Sequence, residues 1–293
     1  MIIKDYFAVK AKIIEASLDK WLPSGDSQVG QAMRYAVMAG GKRIRPVLAI
    51  ATSEMLGGKE EDVLPGGCAL EFIHNYSLIH DDLPCMDNDD FRRGRPTTHK
   101  QFGETTAILA GNTLIIEAFR LLGEFARESS LPDSAKLKII TEIAQASGMQ
   151  GMIAGQVSDL ESEKLDIDAD RMAYIHSHKT GALIRAAVLA GAYASNATDI
   201  QVEHLHHYAE KLGLMFQVTD DILDIEGSEE NRGKKIGGDI ELGKATYPRI
   251  HGMDKAKALV KELMEGCRHD LASFGDKAET LIAISDYVGT RKA

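Results

Sequence analysis

Three carboxylates, Asp220, Asp221 and Asp224, stand inside an apolar stretch, with Leu212, Leu214, Met215, Phe216 and Val218 before them and Ile222, Leu223 and Ile225 between and after. Residues four apart share one face of a helix, so Asp220 and Asp224 lie together with Asp221 beside them. A lone pattern of this kind most often marks a solvated acidic face. Apolar flanks argue against that here, because a charged cluster in such a stretch is costly unless it lines a polar cavity. The fold must therefore surround an acidic hollow. Mg²⁺, a hard cation that takes carboxylate and phosphate oxygens together, is the natural occupant of such a trio.

The rest of the chain has helical periodicity. Val29, Met33, Ala36 and Val37 recur at helical spacing, and Gly40-Gly41 supplies a stop. Pro46 suits the first turn of a helix over Val47 to Leu56. Leu70, Ile73, Ser77 and Ile79 carry another helix to Asp81-Asp82. Thr105 to Leu122 is apolar on nearly every side, which predicts a helix at the centre of a bundle. Further helical stretches run from about Ala135 to Leu160, Asp170 to Ser195 and Asp199 to Asp224, with loops at Gly57 to Glu61, Asp87 to Thr98, Ser129 to Asp133 and Gly227 to Thr246. No hairpin signal, low-complexity linker or repeat divides the chain, so one all-α domain over residues 1–293 is expected.

A second acidic motif is spaced differently. Asp81 and Asp82 are followed by Leu83-Pro84-Cys85-Met86 and only then Asp87. Cys85 occupies the position four beyond Asp81, and Pro84 clashes with the carbonyl of residue 80. The helix should end or distort here and let Asp87 swing back toward Asp81. A calcium loop over Asp87-Asn88-Asp89-Asp90 is disfavoured: it lacks the sixth-position glycine, and Thr98 stands where a Glu is needed.

A net charge of −10 excludes a general nucleic-acid binder and makes the local basic clusters informative. Lys42, Arg43 and Arg45 follow a glycine turn before a helix N-terminus, where backbone N–H groups favour anions. Arg92, Arg93 and Arg95 follow the first acidic motif, and Arg forks suit phosphate oxygens. Lys179-Thr180-Gly181 interrupts an apolar helix, and Lys234-Lys235 follow the second motif. Each alone reads as a surface patch. Together they predict a cavity for two anions, one held through metals and one through cations. His74, two helical turns before Asp81, falls on the acidic face, whereas His204, His206 and His207 show no such pairing. No run approaches the roughly 20 apolar residues of a membrane span. An odd set of three cysteines without metal spacing and an N-terminus unlike a targeting peptide suggest a cytoplasmic protein.

Residues 76 to 100, from Tyr-Ser-Leu-Ile-His-Asp-Asp-Leu-Pro to Gly-Arg-Pro-Thr-Thr-His-Lys, resemble the first Asp-rich region of trans-isoprenyl diphosphate synthases. Bacterial farnesyl and plant-type geranylgeranyl diphosphate synthases carry the same two-residue insertion. Gly-Gly-Lys-Arg-Ile-Arg-Pro (40–46), Gly-Gln-x-x-Asp (155–159), Lys-Thr-Gly (179–181), Gln-Val-Thr-Asp-Asp-Ile-Leu-Asp (217–224) and the stretch over 233–248 follow in family order. The resemblance implies a helical bundle around a deep central cavity, a polyprenyl synthetase domain, a homodimer and three Mg²⁺ per site. It implies Asp81, Asp87 and Asp220 as principal metal ligands, with Asp82, Asp221 and Asp224 close behind. Arg92, Lys179, Lys234, Thr180 and Gln217 would hold an allylic diphosphate. Lys42, Arg45, His74 and Arg93 would hold isopentenyl diphosphate. The implied reaction ionises the allylic diphosphate, joins the cation to the isopentenyl double bond and sheds a proton.

In the synthases that the chain resembles the growing tail runs parallel to the helix leading to Asp81-Asp82, which implies that product length is set below the first motif. At ~1.5 Å per residue, Ser77 and Tyr76 lie about 6 and 7.5 Å from Asp81 along the helix. A bulky Tyr76 there predicts a floor and a C15 product, with C20 or C10 as alternatives. Terpene cyclases usually carry an Asn-Ser-Glu type second motif and do not need the isopentenyl set. A non-catalytic partner subunit is disfavoured by intact motifs.

Overall fold

The computed structural model describes residues 3–162, 165, 167–226 and 246–291. The expected all-α bundle is what these residues form. In chain order the helices are α1 (Ile3–Trp21), α2 (Gln28–Val37), α3 (Ile44–Met55), α4 (Glu60–Asp81), α5 (Thr98–Phe102), α6 (Glu104–Glu128), α7 (Asp133–Ser147), α8 (Met152–Ser162) and α9 (Ala169–Ile175). A π-helix, His176–Gly181, leads into α10 (Ala182–Ala194), followed by α11 (Asp199–Glu226), α12 (Tyr247–His251), α13 (Met253–Leu271) and, after a 3₁₀ turn, α14 (Glu279–Thr290). The core runs between α3, α4, α6, α10 and α11, and includes Leu48, Leu70, Phe72, Leu114 and Leu121. Truncating a buried leucine such as Leu114 to alanine costs about 2–5 kcal/mol at a site of this kind.

Several boundaries differ from the sequence reading, each for a local reason. Helix α3 opens at Ile44, ahead of Pro46, because Arg43 caps it in the left-handed region (φ 50°). The stretch Ala135 to Leu160 divides at Gly148 into α7 and α8, and the stretch Asp170 to Ser195 carries the π-helix. The supposed loop Asp87 to Thr98 contains a two-stranded hairpin, Phe91–Arg92 (β1) against Arg95–Pro96 (β2). Its turn is Arg93-Gly94, both at positive φ (53° and 73°), the geometry of a tight hairpin without the usual Asn-Gly signal.

Helix α6 is not buried all round. Ile108, Leu109, Ile116 and Phe119 form an exposed apolar stripe on it, Ile116 with 66% of its surface open. Among the described helices, α6 is the one long and apolar enough to cross a membrane by length and composition, contrary to the run-based reading. The scattered Thr and Asn residues that broke the run leave its mean hydropathy high.

Candidate active site

The first motif sits where α4 ends. Helical geometry stops at Asp81, and the chain then turns through Leu83, Pro84 and Cys85. The Asp87 N–H donates to the Asp81 carbonyl at 2.9 Å, and the Asn88 N–H to Leu83 at 3.1 Å. The turn therefore brings Asp87 back against Asp81, as Pro84 implied. Burial pushes the Asp81 carboxyl up to about 6; Lys179 and Arg92 oppose this, while Asp87 and Asp82 add to it. Two carboxylates crowded at a buried helix end, with no nitrogen or sulfur ligand among them, form a hard-oxygen donor set. That set fits Mg²⁺.

Asp82 anchors an arginine. It is buried, and both of its oxygens accept from Arg92 Nε at 2.9 Å, with Arg92 Nη2 at 2.6 Å from Oδ1. This bidentate pair fastens the hairpin to the helix end. Asp82 thus holds Arg92 beside the jaw; like Asp87, Asp221 and Asp224 it is not among the residues that line the two chambers, where Asp81 and Asp220 are.

The second motif lies near the C-terminal end of α11. Asp220 is half-buried, Asp221 and Asp224 buried. Asp221 Oδ2 accepts the Tyr247 N–H at 2.8 Å and lies 3.8 Å from His176 Nε2, which ties the motif to α12 and the π-helix. Burial lowers the His176 imidazole to about 4, so it is neutral at physiological pH.

Asp220 and Asp81, one aspartate from each motif, line adjoining chambers of about 450 Å³ each, and Arg45 and His74 line both. The basic chamber also takes in Lys42, Arg93, Phe216, Asp220 and Arg291. Burial holds the Arg45 guanidinium down at about 10, and its Nε is buried without a hydrogen-bond partner. A buried guanidinium donor that lines a cavity is suited to an anion. Burial and the surrounding arginines keep His74 well below its ordinary range, hence neutral. Arg43, the middle cation of its cluster, is structural: it bonds Glu71 at 2.8 Å and the Val37 carbonyl at 2.7 Å.

The second chamber, named the tail chamber for the substrate part it is proposed to take, has a mainly apolar wall. Tyr76, Ser77, His80 and Asp81 of α4 line it together with Ile115 of α6, Met152 and Val157 of α8, and Lys179 and Thr180. Tyr76 is buried and packs edge-on to His80, their centroids 5.7 Å apart. Lys179 and Thr180 reach the chamber because they sit in the π-helix, whose wider turn re-aims side chains. Lys179 Nζ is held by Asp159 at 2.6 Å. A side chain at Gly155 would lie 2.1 Å from the Lys179 backbone nitrogen, so only glycine lets α8 approach the bulge. These contacts assign roles within Gly-Gln-x-x-Asp that the pattern did not. Its Gln156 lines the tail chamber with both amide atoms unpartnered.

Lys42, Arg45, His74, Arg93, Asp220, Asp81, Lys179, Thr180, Tyr76 and Ser77 thus come together around one cavity. Gln217 is half-buried on α11 but is not among the lining residues, and Lys234 lies outside the described residues. Arg291 was missed, because a lone arginine near a chain end carries no pattern. His206, His207 and Glu210 do cluster, on the outer face of α11, with ligand atoms within 4.8 Å of one another, which adjacent helical positions allow without any motif spacing.

Residues 26–283 match the family model described as polyprenyl synthetase. The chain is 42% identical over 292 residues to the heterodimeric geranylgeranyl pyrophosphate synthase large subunit 1, chloroplastic, of Arabidopsis thaliana, covering 98% of this chain and 79% of the relative. It is 43% identical over 293 residues to geranylgeranyl pyrophosphate synthase 4 of the same plant, at 98% and 78% coverage. The crystal structure of an FPP/GFPP synthase from Zymomonas mobilis superposes with a TM-score of 0.87 at 35% identity, covering 98% of this chain and 99% of that one.

Proposed function

Because the chain belongs to the polyprenyl synthetase family, we propose that it is a short-chain prenyltransferase which elongates an allylic diphosphate with isopentenyl diphosphate. The observation that carries this reading is the pair of adjoining chambers sharing Arg45 and His74, one basic and one apolar. The allylic diphosphate lies between Asp81 and Asp87 on one side and Asp220 on the other, with Lys179 and Arg92 nearby, and its tail enters the apolar chamber. Isopentenyl diphosphate occupies the basic chamber, held by Lys42, Arg45, His74 and Arg93.

Asp81, Asp87 and Asp220 would hold Mg²⁺, with three ions the family expectation, and the metal would supply neutralisation of the leaving diphosphate. Lys179, kept in place by Asp159 and the π-helix, adds a fixed positive charge at the same point. Tyr76, Ile115, Met152 and Val157 exclude water from the carbocation. The neutral His74 is surrounded by arginines that oppose its protonation, which makes it a poor base. The proton therefore leaves with the diphosphate.

The relatives support a geranylgeranyl (C20) product better than the C15 read from Tyr76. The buried Tyr76 in the wall of the tail chamber is the specific observation that favours farnesyl as a second reading. Mass spectrometry of products from dimethylallyl and isopentenyl diphosphates decides between them. A native C20 product unaltered by Tyr76→Ala would remove Tyr76 as a floor. A C15 product lengthened by that substitution would establish it. No elongation at all would sink the prenyltransferase reading.

A homodimer is supported by the exposed stripe Ile108, Leu109, Ile116 and Phe119, which is adjacent on α6 to tail-chamber residue Ile115. Sedimentation of Ile116→Asp should give a monomer; an unchanged dimer would place the interface elsewhere.

A further inference from the structure

After α14 the chain leaves helical geometry at Arg291 (φ −58°, ψ 138°) and sends that side chain into the basic chamber. The side chain is 4% exposed. Its Nη2 donates to Asp220 Oδ1 at 2.7 Å and to the Phe216 carbonyl at 3.0 Å. Its guanidinium carbon lies 4.0 Å above the Phe216 ring centroid. Its Nε is buried and makes no hydrogen bond. It lines the chamber with Lys42, Arg45, His74 and Arg93, and together with burial it pushes the Lys42 ammonium down.

Two features do not fit a purely structural role. Its Nε is left unbonded beside a chamber lined by Lys42, Arg45 and Arg93. Its partner, moreover, is the same carboxylate that the acidic hollow offers to a divalent cation. A guanidinium and Mg²⁺ compete for Asp220, since both are cations drawn to the same carboxylate and each repels the other at that distance.

We propose that Arg291 is a placeholder cation on Asp220 that becomes a ligand of isopentenyl diphosphate when a divalent cation takes that carboxylate. Phe216 serves as the platform on which the guanidinium pivots. Released from Asp220, Nη2 and the orphaned Nε are two donors for the diphosphate already flanked by Lys42, Arg45 and Arg93. Metal and second substrate then bind with positive, reciprocal coupling. This inference rests on the prenyltransferase reading for the identity of the anion, but not for the competition at Asp220.

Calorimetric titration of the full chain with Mg²⁺ alone, without substrates, tests the competition. Arg291→Met should bind Mg²⁺ about three- to tenfold more tightly than the native chain, the range for loss of one charged pair. Steady-state kinetics tests the hand-over. Arg291→Met should raise KM for isopentenyl diphosphate about tenfold and leave KM for the allylic substrate within about twofold, while Arg291→Lys restores most of the loss. Unchanged Mg²⁺ affinity in Arg291→Met overturns the placeholder, and an unchanged isopentenyl KM overturns the hand-over. If Arg291→Met melts early, Phe216→Leu keeps the guanidinium but removes its platform, and should also tighten Mg²⁺. A native chain that binds Mg²⁺ but makes no product would sink the functional reading and leave the competition standing. Product formation with native Mg²⁺ affinity in Arg291→Met would do the reverse.

Discussion

The two acidic motifs present three aspartates each and are built in opposite ways. The second needs only helical periodicity: Asp220 and Asp224 share a face of α11, and Asp221 is tied to the Tyr247 N–H. The first has no continuous helix to rely on. It is assembled from a helix end, a proline turn that returns Asp87 to the Asp81 carbonyl, and a hairpin clamped by Arg92 on Asp82. A periodic motif tolerates changes around it, because its geometry is set by the backbone of one helix. An assembled motif depends on contacts between separate segments, such as the Arg92–Asp82 pair and the Asp87–Asp81 turn.

The sharpest way to break this contrast is to compare supporting and donor residues of the first motif. Asp81→Ala should lower kcat/KM by about 10³, the scale of losing one preorganised electrostatic group. Asp82→Ala should lower it by about 10² through a displaced Arg92. It should also cost on the order of 2 kcal/mol of stability, because it leaves the Arg92 guanidinium with the looser 3.8 Å ion pair to Asp89 in place of a bidentate one. Thermal melts of the two variants separate the roles; an Asp82→Ala protein as stable as the native chain would mean the clamp does not hold the hairpin.

A smaller effect tests the π-helix opposite the first motif. Gly155→Ala puts a methyl 2.1 Å from the Lys179 nitrogen, so the bulge must shift and Lys179 with it. A displacement of about 1 Å predicts roughly a 10²-fold or smaller loss of kcat, with modest change in KM for isopentenyl diphosphate, whose chamber does not include Lys179. Equal effects on both would deny the bulge its local role.

The smallest effect is on pH dependence. Asp81 is raised to about 6 from an ordinary 3.8, mainly by burial. The folded chain therefore holds this proton more tightly than the unfolded one, and its contribution to stability falls as pH rises from about 4 to 6. Asp81→Asn should remove that fall, raising the metal-free melting temperature at pH 7 by on the order of 2 °C. Mg²⁺ affinity moves the other way: it needs the ionised carboxylate, so it weakens below pH about 6. A melting profile of Asp81→Asn parallel to the native one would show that Asp81 is not strained.

The periodic parts were legible in the sequence and the assembled parts only partly. Apolar spacing gave the bundle and the second motif, because burial and helix period leave few alternatives for Leu212 to Ile225. Pro84 correctly marked the end of α4, since a missing N–H and a steric clash act locally. The hairpin was hidden because Arg93 takes a conformation normally signalled by Asn. Arg291 and the Asp159–Lys179 pair were hidden because their meaning arises from tertiary contacts across 71 and 20 residues. The exposed stripe on α6 was not legible, because a helix apolar on nearly every side does not reveal in sequence which of its faces is left uncovered.

Only the returning turn brings Asp87 against Asp81, and the proposed metal site depends on that turn. The deciding measurement is the Mg²⁺ dependence of turnover for the native chain and Asp87→Ala. Native turnover should vanish on chelation and return with Mg²⁺. Asp87→Ala should turn over about 10²-fold more slowly and need about tenfold more Mg²⁺ for half-maximal rate. Native rate and native Mg²⁺ dependence in Asp87→Ala would contradict the assembled jaw.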